Sequence, residues 1–397
     1  MQQKIDGLLV PKLRFPEFLD AGEWESKRLD DVAPLQRGFD LPSDQIKPGN
    51  IPVVYSNGVQ NFHSMGMAKA PGLVTGRSGT IGKIHFIEEG DYWPHNTSLW
   101  VTSFKDNFPK FIYYLYKSIG TTRFASGSGV PTLNRNYVHA YRSCLPPSIS
   151  EQKKIADCLS SIGDRITLES QKLDTLKAHK KGLMQQLFPA EGETLPKLRF
   201  PEFLDSGDWE EQKLGSLVEI FSGDAPSSYK LSSAYGCPYV KVEDMNNCSK
   251  YQSISREYAD KSTKNLPTGS VIFPKRGAAI MGNKVRIAAV PFYIDSNMMA
   301  LFPQKKGFLL PEFLYYLVLT QQLSKIADTS SIPQINNKHI IAYTVKIPSP
   351  PEQQKIADCL SSLDELIAAQ AQAIDTLKTH KKGLMQQLFP SVEEVKG

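Results

Sequence analysis

The glycine-rich stretch GRSGTIGK, residues 76–83, is the part of the sequence that comes nearest to a catalytic motif. A glycine-rich loop that ends in lysine can hold phosphate groups, as the P-loop of nucleotide-binding enzymes does. The P-loop pattern fails here at two positions, because Arg77 stands where its first glycine belongs and Ile84 stands where it needs Ser or Thr. We therefore interpret this stretch as a loop with basic side chains and not as a nucleotide site.

Two acid-x-lysine motifs, Glu25-x-Lys27 and Glu211-x-Lys213, have the form seen in metal-dependent nucleases. They are out of register by one residue within the internal repeat described below, and no partner acid is placed beside either of them. The seven histidines and five cysteines show no metal-ligand spacing. The sequence thus predicts that this chain is not an enzyme and binds no metal and no cofactor.

The composition is that of an ordinary soluble protein. The chain has 397 residues, enough for two globular units, with 41% hydrophobic and 22% charged residues. It shows no secretory signal pattern and no apolar run of membrane-spanning length, so we expect a cytoplasmic protein. The net charge of +5 is compatible with a nucleic-acid partner, but it is below the level expected of a protein that holds DNA by charge alone.

The dominant feature of the sequence is an internal duplication. The decapeptide PKLRFPEFLD begins at Pro11 and again at Pro196, and the block LDTLKAHKKGLMQQLFP from Leu173 returns from Ile374 with 15 of 17 residues identical. The first pair is offset by 185 positions and the second by 201, so the intervening region is 16 residues longer in the second half. Each half therefore has a shared block, a private region that we call a head, and a second shared block.

Each downstream shared block predicts a long helix, because apolar residues recur along it in steps of four and three. Such a heptad seam is typical of coiled coils. The seam residues of the first helix are Ile155, Leu159, Ile162, Ile166, Leu173, Leu176, Leu183 and Leu187. Those of the second are Ile356, Leu360, Leu363, Ile367, Ile374, Leu377, Leu384 and Leu388. The seam also has polar places, at Glu169, Lys180, Gln370 and Lys381.

Two helices with the same seam in one chain are expected to pack on each other, and an antiparallel pair would place the heads at opposite ends. About 38 residues at ~1.5 Å each span roughly 57 Å, so the helix pair would set a fixed distance between the two heads. Periodicity alone leaves open a pair that only props two domains together. In the decapeptide, Pro16 and Pro201 prevent a regular helix, and we expect an extended segment whose aromatic side chains pin the head to its helix.

The heads, roughly 26–150 and 211–351, mix strand-like runs such as IPVVYS and SVIFP with one short amphipathic helix, which predicts an α+β fold with a mostly antiparallel, curved sheet. Their loops combine Gly, Asn and Ser with basic residues. Arg, Lys, Asn and Gln are the side chains that pair with base edges, whereas Ser, Thr and glycine amides suit phosphates. The DNA-binding candidates are Arg77, Lys83, Asn96, Asn134 and Arg135 in the first head and Lys275, Arg276, Lys284, Gln334, Asn336 and Lys338 in the second.

The combination resembles the specificity subunits of type I restriction–modification systems. The resemblance rests on the doubled LRFPEF with a following Trp24 or Trp209, on the helix starts EQKKIADCLSS and EQQKIADCLSS, and on KKGLMQQLFP at both helix ends. GRSGTIGK, WPHNTSLW and GVPTLNRNYV in the first head add to it. The second head departs from this pattern, since PKRGAAIMGNK replaces GRSGTIGK and SNMMALF replaces HNTSLW.

The resemblance implies two target-recognition domains, 1–150 and 190–351, and two conserved helices, 151–189 and 352–390, which form an antiparallel coiled coil with a pseudo-two-fold repeat. Each domain would read one half of a bipartite double-stranded DNA target, and the helices would fix the unread gap. Two methyltransferase subunits would bring S-adenosylmethionine and methylate adenine, and translocase–nuclease subunits would bring ATP with Mg²⁺. The alternative from another class is a coiled-coil scaffold whose heads bind proteins, and a weaker one is a nuclease.

Overall fold

The computed structural model describes residues 10–127, 130–260, 265–304, 307–328 and 332–390. The chain forms two compact units that do not coincide with the two sequence repeats. The first unit comprises residues 1–171 and 371–397, and the second comprises residues 172–370. Each unit thus contains one head, the start of the helix that follows this head, and the end of the other long helix.

The first repeat begins with a 3-10 turn at Pro16–Phe18. Its strands are β1 (Glu25–Arg28), β2 (Leu35–Arg37), β3 (Ile51–Tyr55), β4 (Gly58–His63), β5 (Ala68–Lys69), β6 (Gly72–Gly76), β7 (Ile84–Ile87), β8 (Asp91–Pro94), β9 (Ser98–Val101), β10 (Ala125–Ser126), β11 (Thr132–Leu133) and β12 (Arg142–Leu145). Its α-helices are α1 (Leu29–Val32), α2 (Pro109–Ile119), α3 (Arg135–Ala140) and α4 (Ile149–Leu187).

The second repeat begins with the same 3-10 turn, at Pro201–Phe203. Its strands are β13 (Glu210–Lys213), β14 (Val218–Ser222), β15 (Leu231–Ser232), β16 (Cys237–Val240), β17 (Tyr251–Gln252), β18 (Tyr258–Ala259), β19 (Val271–Pro274), β20 (Arg286–Ala288), β21 (Tyr293–Ile294), β22 (Met298–Pro303) and β23 (Thr344–Ile347). Its α-helices are α5 (Leu214–Leu217), α6 (Pro311–Gln321), α7 (Asn337–Ala342) and α8 (Pro350–Leu388).

The two heads share one sheet order. The main sheet of the first head runs β2-β9-β6-β7, and that of the second runs β14-β22-β19-β20-β17. These pairs are antiparallel except for β17, which lies parallel to β20 at the edge. The mixed helices and mainly antiparallel sheets agree with the predicted α+β class. The predicted strands IPVVYS and SVIFP are β3 and β19, and the predicted short helices are α2 and α6.

Each core is completed by the end of the helix from the other repeat. In the first unit the ring of Phe389 lies 5.5 Å from that of Phe111, which also contacts Trp24. In the second unit Phe188 lies 5.4 Å from Phe313 and 6.0 Å from Trp209. The helix end KKGLMQQLFP is therefore shared because each copy must fill the same pocket in a core.

The decapeptide joins the start of one long helix to the end of the other through polar contacts as well as aromatic packing. The Arg14 guanidinium donates two hydrogen bonds of 2.8 Å to the buried carboxylate of Glu151 at the start of α4, and Trp24 Nε1 donates a third at 3.1 Å. The Leu13 amide donates to the Gln387 carbonyl near the end of α8. The expected aromatic pinning is observed, because Phe15 and Trp24 pack in the core that contains Ile155 of the helix. The expected extended conformation is corrected, because the segment turns at Pro16–Phe18, and an ion pair also anchors it.

The second decapeptide repeats these contacts. Arg199 donates two hydrogen bonds of 2.8 Å to Glu352, Trp209 Nε1 donates at 3.3 Å, and the Leu198 amide donates to the Gln186 carbonyl. Glu151 and Glu352, the acids in the first turns of the two long helices, are therefore buried partners of arginine.

The long helices begin two residues before the ranges predicted from sequence, 151–189 and 352–390. Every predicted seam residue is buried or half-buried, whereas most positions between them are exposed. None of the described helices is long and apolar enough to cross a lipid bilayer.

Candidate nucleic-acid interface

Three segments of the first head meet at the end of β6, where main-chain hydrogen bonds join them. The amide of Arg77 donates to the Thr97 carbonyl at 2.9 Å, and its carbonyl accepts from the Leu133 amide at 2.7 Å. The amide of Gly79 donates to the Pro131 carbonyl at 3.2 Å. We call this region, residues 76–83, 95–97 and 130–136, the first loop junction. It brings together all five DNA-binding candidates of the first head.

The second head has the same arrangement at the end of β19. The Lys275 amide donates to the Asn297 carbonyl, the Lys275 carbonyl accepts from the Ile335 amide, and the Gly277 amide donates to the Pro333 carbonyl, each at 2.8 Å. We call residues 274–284, 295–297 and 332–338 the second loop junction. It contains all six candidates of the second head.

The matching bonds establish which residues correspond between two loops whose sequences differ. Arg77 occupies the place of Lys275, and Gly79 occupies the place of Gly277. These glycines have φ angles of +79° and +75°, in the left-handed region that glycine adopts without strain. The hydrogen-bonded backbone around these two positions is therefore common to both heads, whereas the loop that follows differs, since among the described residues only the second head has a 3-10 turn there, at Ala278–Gly282. The side chains also differ between the heads.

The candidates differ in how far they reach solvent. The exposed candidates are Lys83, Asn134, Arg135, Arg276 and Lys338. The half-buried candidates are Arg77, Asn96, Lys275, Lys284, Gln334 and Asn336. Parts of two predicted contact loops, residues 128–129 and 330–331, lie outside the described residues.

Several candidate amides are already oriented by neighbouring groups. Asn96 donates through Nδ2 to Asp40, which leaves its Oδ1 and one N–H for a further partner. Asn134 caps α3, since its Oδ1 accepts from the Asn136 amide at 3.0 Å. In this role Asn134 helps to hold the junction, and the adjacent Arg135 is the outward-facing cation.

The second junction holds its polar side chains in a similar network. Gln334 Nε2 donates to Asn336 Oδ1 at 2.9 Å, and Asn336 caps α7 together with His339. Lys284 donates through Nζ to Asn246. These contacts fix Gln334 and Asn336, whereas Arg276 makes only a main-chain bridge to Gln334 among the contacts described.

Sequence reasoning selected only Asn96 from the polar turns that precede β9 and β22. In the first head His95 Nδ1 lies 3.0 Å from Thr97 Oγ1, and the His95 ring lies 4.0 Å from that of Tyr55. In the second head Asn297 Nδ2 donates to Asp295 Oδ1 at 2.7 Å. The available signal was a run of three polar residues directly before a buried strand, at 95–97 and 295–297.

The charge of the second junction is modulated by two nearby acids, the buried Asp295 and the exposed Asp224. Burial lowers the pKa of Lys275, and the nearby Arg276 lowers it further, whereas Asp224 and Asp295 raise it. Asp295 is buried and accepts a hydrogen bond from Tyr239 Oη at 3.2 Å. Lys275 therefore lies near one buried and one exposed carboxylate.

The structure places the acid-x-lysine motifs on exposed strands, away from any acidic cluster. Glu25 and Lys27 pair with each other at 2.6 Å on β1, and both side chains are about half exposed. Across the described part of the chain, no group of three or more His, Cys, Asp or Glu side chains is arranged to hold a metal ion.

Comparison with known proteins agrees with this geometry. The sequence profile of the type I restriction modification DNA specificity domain matches residues 21–178 and 206–379. The MjaVIII specificity subunit of Methanocaldococcus jannaschii is 25% identical over 288 residues, which cover 68% of this chain and 66% of that protein. The MjaIX specificity subunit is 29% identical over 201 residues, 48% of this chain and 45% of the relative. The matches span less than two thirds of the length of these two relatives.

Solved structures show the same fold. The specificity subunit of a type I system from M. genitalium has a TM-score of 0.64 at 16% identity, covering 97% of this chain and 100% of that one. A chain from a study of complex assembly and conformational transition in the type I system has a TM-score of 0.59 at 16% identity, covering 93% of this chain and 98% of that one. With two profile matches that together span most of its length, the chain belongs to the type I restriction–modification DNA specificity family and carries two copies of its domain.

Proposed function

We propose that this chain is a non-catalytic specificity subunit that reads an asymmetric, bipartite sequence in double-stranded DNA. One observation carries the proposal: the same main-chain junction is built twice, and it presents different side chains each time. A shared backbone with private side chains is suited to placing two different sets of donors and acceptors in equivalent poses. Two equal poses with unequal side chains would read two unequal half-sites.

The chemistry of the junctions favours DNA over a protein partner. Arg77 and Lys275 occupy one equivalent position, and Arg135, Arg276 and Lys338 add exposed cations. Fixed amides such as Asn96 and Gln334 offer a donor beside an acceptor, which is the pattern that an adenine edge recognises. Cations would position the phosphate backbone, and amides would select bases.

We further propose that α4 and α8 form an antiparallel coiled coil that fixes the unread gap between the half-sites. The seam supports this, because each predicted position is buried or half-buried. The composition of each unit supports it as well, since the start of one helix and the end of the other share a core. The gap length would then follow from the number of helical residues.

The partners that fit this function are two methyltransferase subunits and translocase–nuclease subunits, in the cytoplasm. The methyltransferase subunits would carry S-adenosylmethionine for adenine methylation, and the translocase–nuclease subunits would carry ATP with Mg²⁺. The duplicated, nearly identical frame supports two copies of one partner, because the decapeptide and the long-helix sequences occur twice. The chain itself would supply target choice and no chemical step.

The deciding experiment is single-molecule sequencing of DNA from cells that express the chain with its cognate methyltransferase subunit. An N6-methyladenine motif with two unequal halves and a fixed gap is the expected result. Absence of methylation, with the complex assembled, would overturn the proposal. In that case duplex binding by the assembled complex separates the alternatives: failure to bind any duplex would favour a protein-binding scaffold, whereas a DNA-binding complex should bind and weaken steeply as salt rises, through counterion release.

A further inference from the structure

The second unit buries a lysine at the point where its head meets a long helix. Lys250 is only 5% exposed and directly precedes β17, the strand that extends the second main sheet beyond β20. Its Nζ donates to Ser361 Oγ on α8 at 2.7 Å and to Tyr316 Oη on α6 at 3.1 Å. A residue private to the head thus binds the shared helix.

The charge of this lysine is balanced by a carboxylate on the same helix. Tyr316 Oη, which accepts from Lys250, donates to Asp364 Oδ2 at 2.5 Å. The other oxygen of Asp364 pairs with Lys180 Nζ, a polar position in the α4 seam. Asp364 therefore serves two ammonium groups, one from the head and one from α4.

The equivalent place in the first unit lacks the carboxylate. Tyr114 and Ser160 repeat the Tyr316–Ser361 contact, with the two hydroxyl oxygens 3.2 Å apart. The repeat aligns Gly163 with Asp364, and Lys381 lies where Lys180 lies in the second unit. A Cβ atom on Gly163 would be 2.6 Å from Lys381 Nζ, the flexible end of a long side chain.

The first head also lacks the strand that delivers the lysine. Within the described residues of the first unit, the main sheet ends at β7, with no strand in the position of β17. The first head, which has no such buried lysine, thus packs on α4, where Gly163 occupies the position. The second head, which has the buried lysine, packs on α8, where Asp364 occupies it. The buried head lysine, Lys250, and the helix carboxylate, Asp364, thus occur together in the second unit, and the described part of the first unit has no counterpart of either.

Because Lys250 is buried, its pairing with Asp364 should contribute strongly to the stability of the folded chain. A buried ammonium that loses its carboxylate is strongly destabilising, because the desolvation of the charge is no longer compensated. Consistently, burial lowers the pKa of Lys250, while Asp364 and Glu312 raise it. Exposed ion pairs of the same chain carry no such penalty.

We propose that Lys250 and Asp364 form a positional key that restricts the second head to its own helix position. Lys250 is a positioning residue: it orients the head on the helix and does not contact DNA. Seated on the first helix position, the second head would bury Lys250 against Gly163 without the carboxylate of Asp364, and among the described residues only Glu312 of the head and the exposed Asp164, which aligns with Glu365, would remain as acids nearby. The two heads are therefore not interchangeable, although their frames are nearly identical. The functional consequence rests on the proposed reading of half-sites, but the key itself does not.

The first test is a charge cycle in the full chain, read by thermal unfolding. Asp364→Asn removes the carboxylate that Lys250 and Lys180 share, and we expect Tm to fall by about 5 to 10 °C. Lys250→Met combined with Asp364→Asn should recover at least about half of that loss. The control is Asp157→Asn, an exposed aspartate on α4 in the first repeat, with an expected shift of about 1 °C or less. Equal losses in the single and double variants would overturn the key.

The second test moves the head. A chain in which residues 210–347 replace residues 25–145 would carry the second head at both positions. We expect it to unfold at lower temperature than the natural chain and to be rescued by Gly163→Asp. The same Gly163→Asp change in the natural chain should give a smaller gain. An equal gain in both chains, or no loss on moving the head, would contradict the proposal.

A DNA readout separates this key from the proposed function. In the methylation assay, Asp364→Asn should weaken recognition of the half-site read by the second head by about tenfold. Recognition of the other half-site should stay unchanged. If no chain methylates DNA while the stability cycle shows the expected rescue, the proposed function fails and the key stands. If methylation is normal and the cycle shows no rescue, the key fails alone.

Discussion

Arg14 and Glu151, 137 residues apart in the chain, form a two-pronged ion pair in which both hydrogen bonds measure 2.8 Å and the side chains are 7% and 1% exposed. Arg199 and Glu352 repeat the pair with the same distances and exposures. A head and its following helix are thus joined at one buried charge. The decapeptide and the EQ helix start recur together because each is the other's partner.

Glu151→Gln should destabilise the first unit by about 3 kcal/mol, because Arg14 would remain buried without a countercharge. Chemical denaturation of the full chain followed by tryptophan fluorescence would measure this, since Trp24 donates to the same carboxylate. The control is Glu17→Gln, which removes an exposed pair with Lys154 and should cost under about 1 kcal/mol. Similar losses in both variants would show that the buried pair is not the anchor.

Gly79→Ala should weaken recognition of one half of the DNA target and leave recognition of the other half unchanged. The residue has a φ of +79° and its Cβ would meet only Ser56 Oγ, at 3.9 Å, so the cost is conformational, about 1–2 kcal/mol. We expect the methylation motif to lose definition in one half and to keep the other half and the gap. Gly90→Ala, with a φ of +78° and open space around it, is the control, because it lies in the turn between β7 and β8. A loss on both halves would contradict a local role.

Arg77→Ala and Lys275→Ala should each affect a different half-site, because the two residues occupy equivalent places in the two junctions. A base-reading side chain should cost about 1–3 kcal/mol and relax the sequence at one position. Binding of the assembled complex to duplexes with single-base changes would measure this. A uniform loss across all duplexes, with a reduced salt slope, would instead identify the residue as a phosphate contact.

Mild acid should destabilise the first unit through His139. Its Nε2 accepts the Leu35 amide proton at 2.8 Å, which requires a neutral ring, and burial lowers its pKa while Asp30 raises it. Because the folded state takes up the proton at lower pH than the unfolded chain, this stability is present above the ordinary histidine pKa of about 6.5 and is lost as the pH falls through it. His139→Gln should flatten the dependence of Tm on pH between about 7 and 5. An unchanged slope would assign the effect to other groups.

The sequence predicts the long helices well because a heptad pattern is local and each apolar residue reports its own burial. It predicts the loop junctions only in part. Arg77 and Lys275 correspond through main-chain bonds to residues 20 or more positions away, and no pattern in their differing loops carries that information. The Arg14–Glu151 pair was missed for the same reason: an acid in a first helical turn has a sufficient local explanation, and its real partner is distant in sequence.

Leu176→Asp should disrupt the proposed coiled coil, because the residue is a half-buried seam position of α4. Placing a carboxylate there removes apolar burial and desolvates a charge, at a cost of about 2 kcal/mol or more. We expect a lower Tm and weaker co-purification with the methyltransferase subunit, and Leu377→Asp should act likewise on α8. The matched control is Leu168→Asp on α4, where the leucine is 62% exposed, so the same change should cost little. If Leu168→Asp and Leu176→Asp behave alike, the seam does not carry the packing of the two helices.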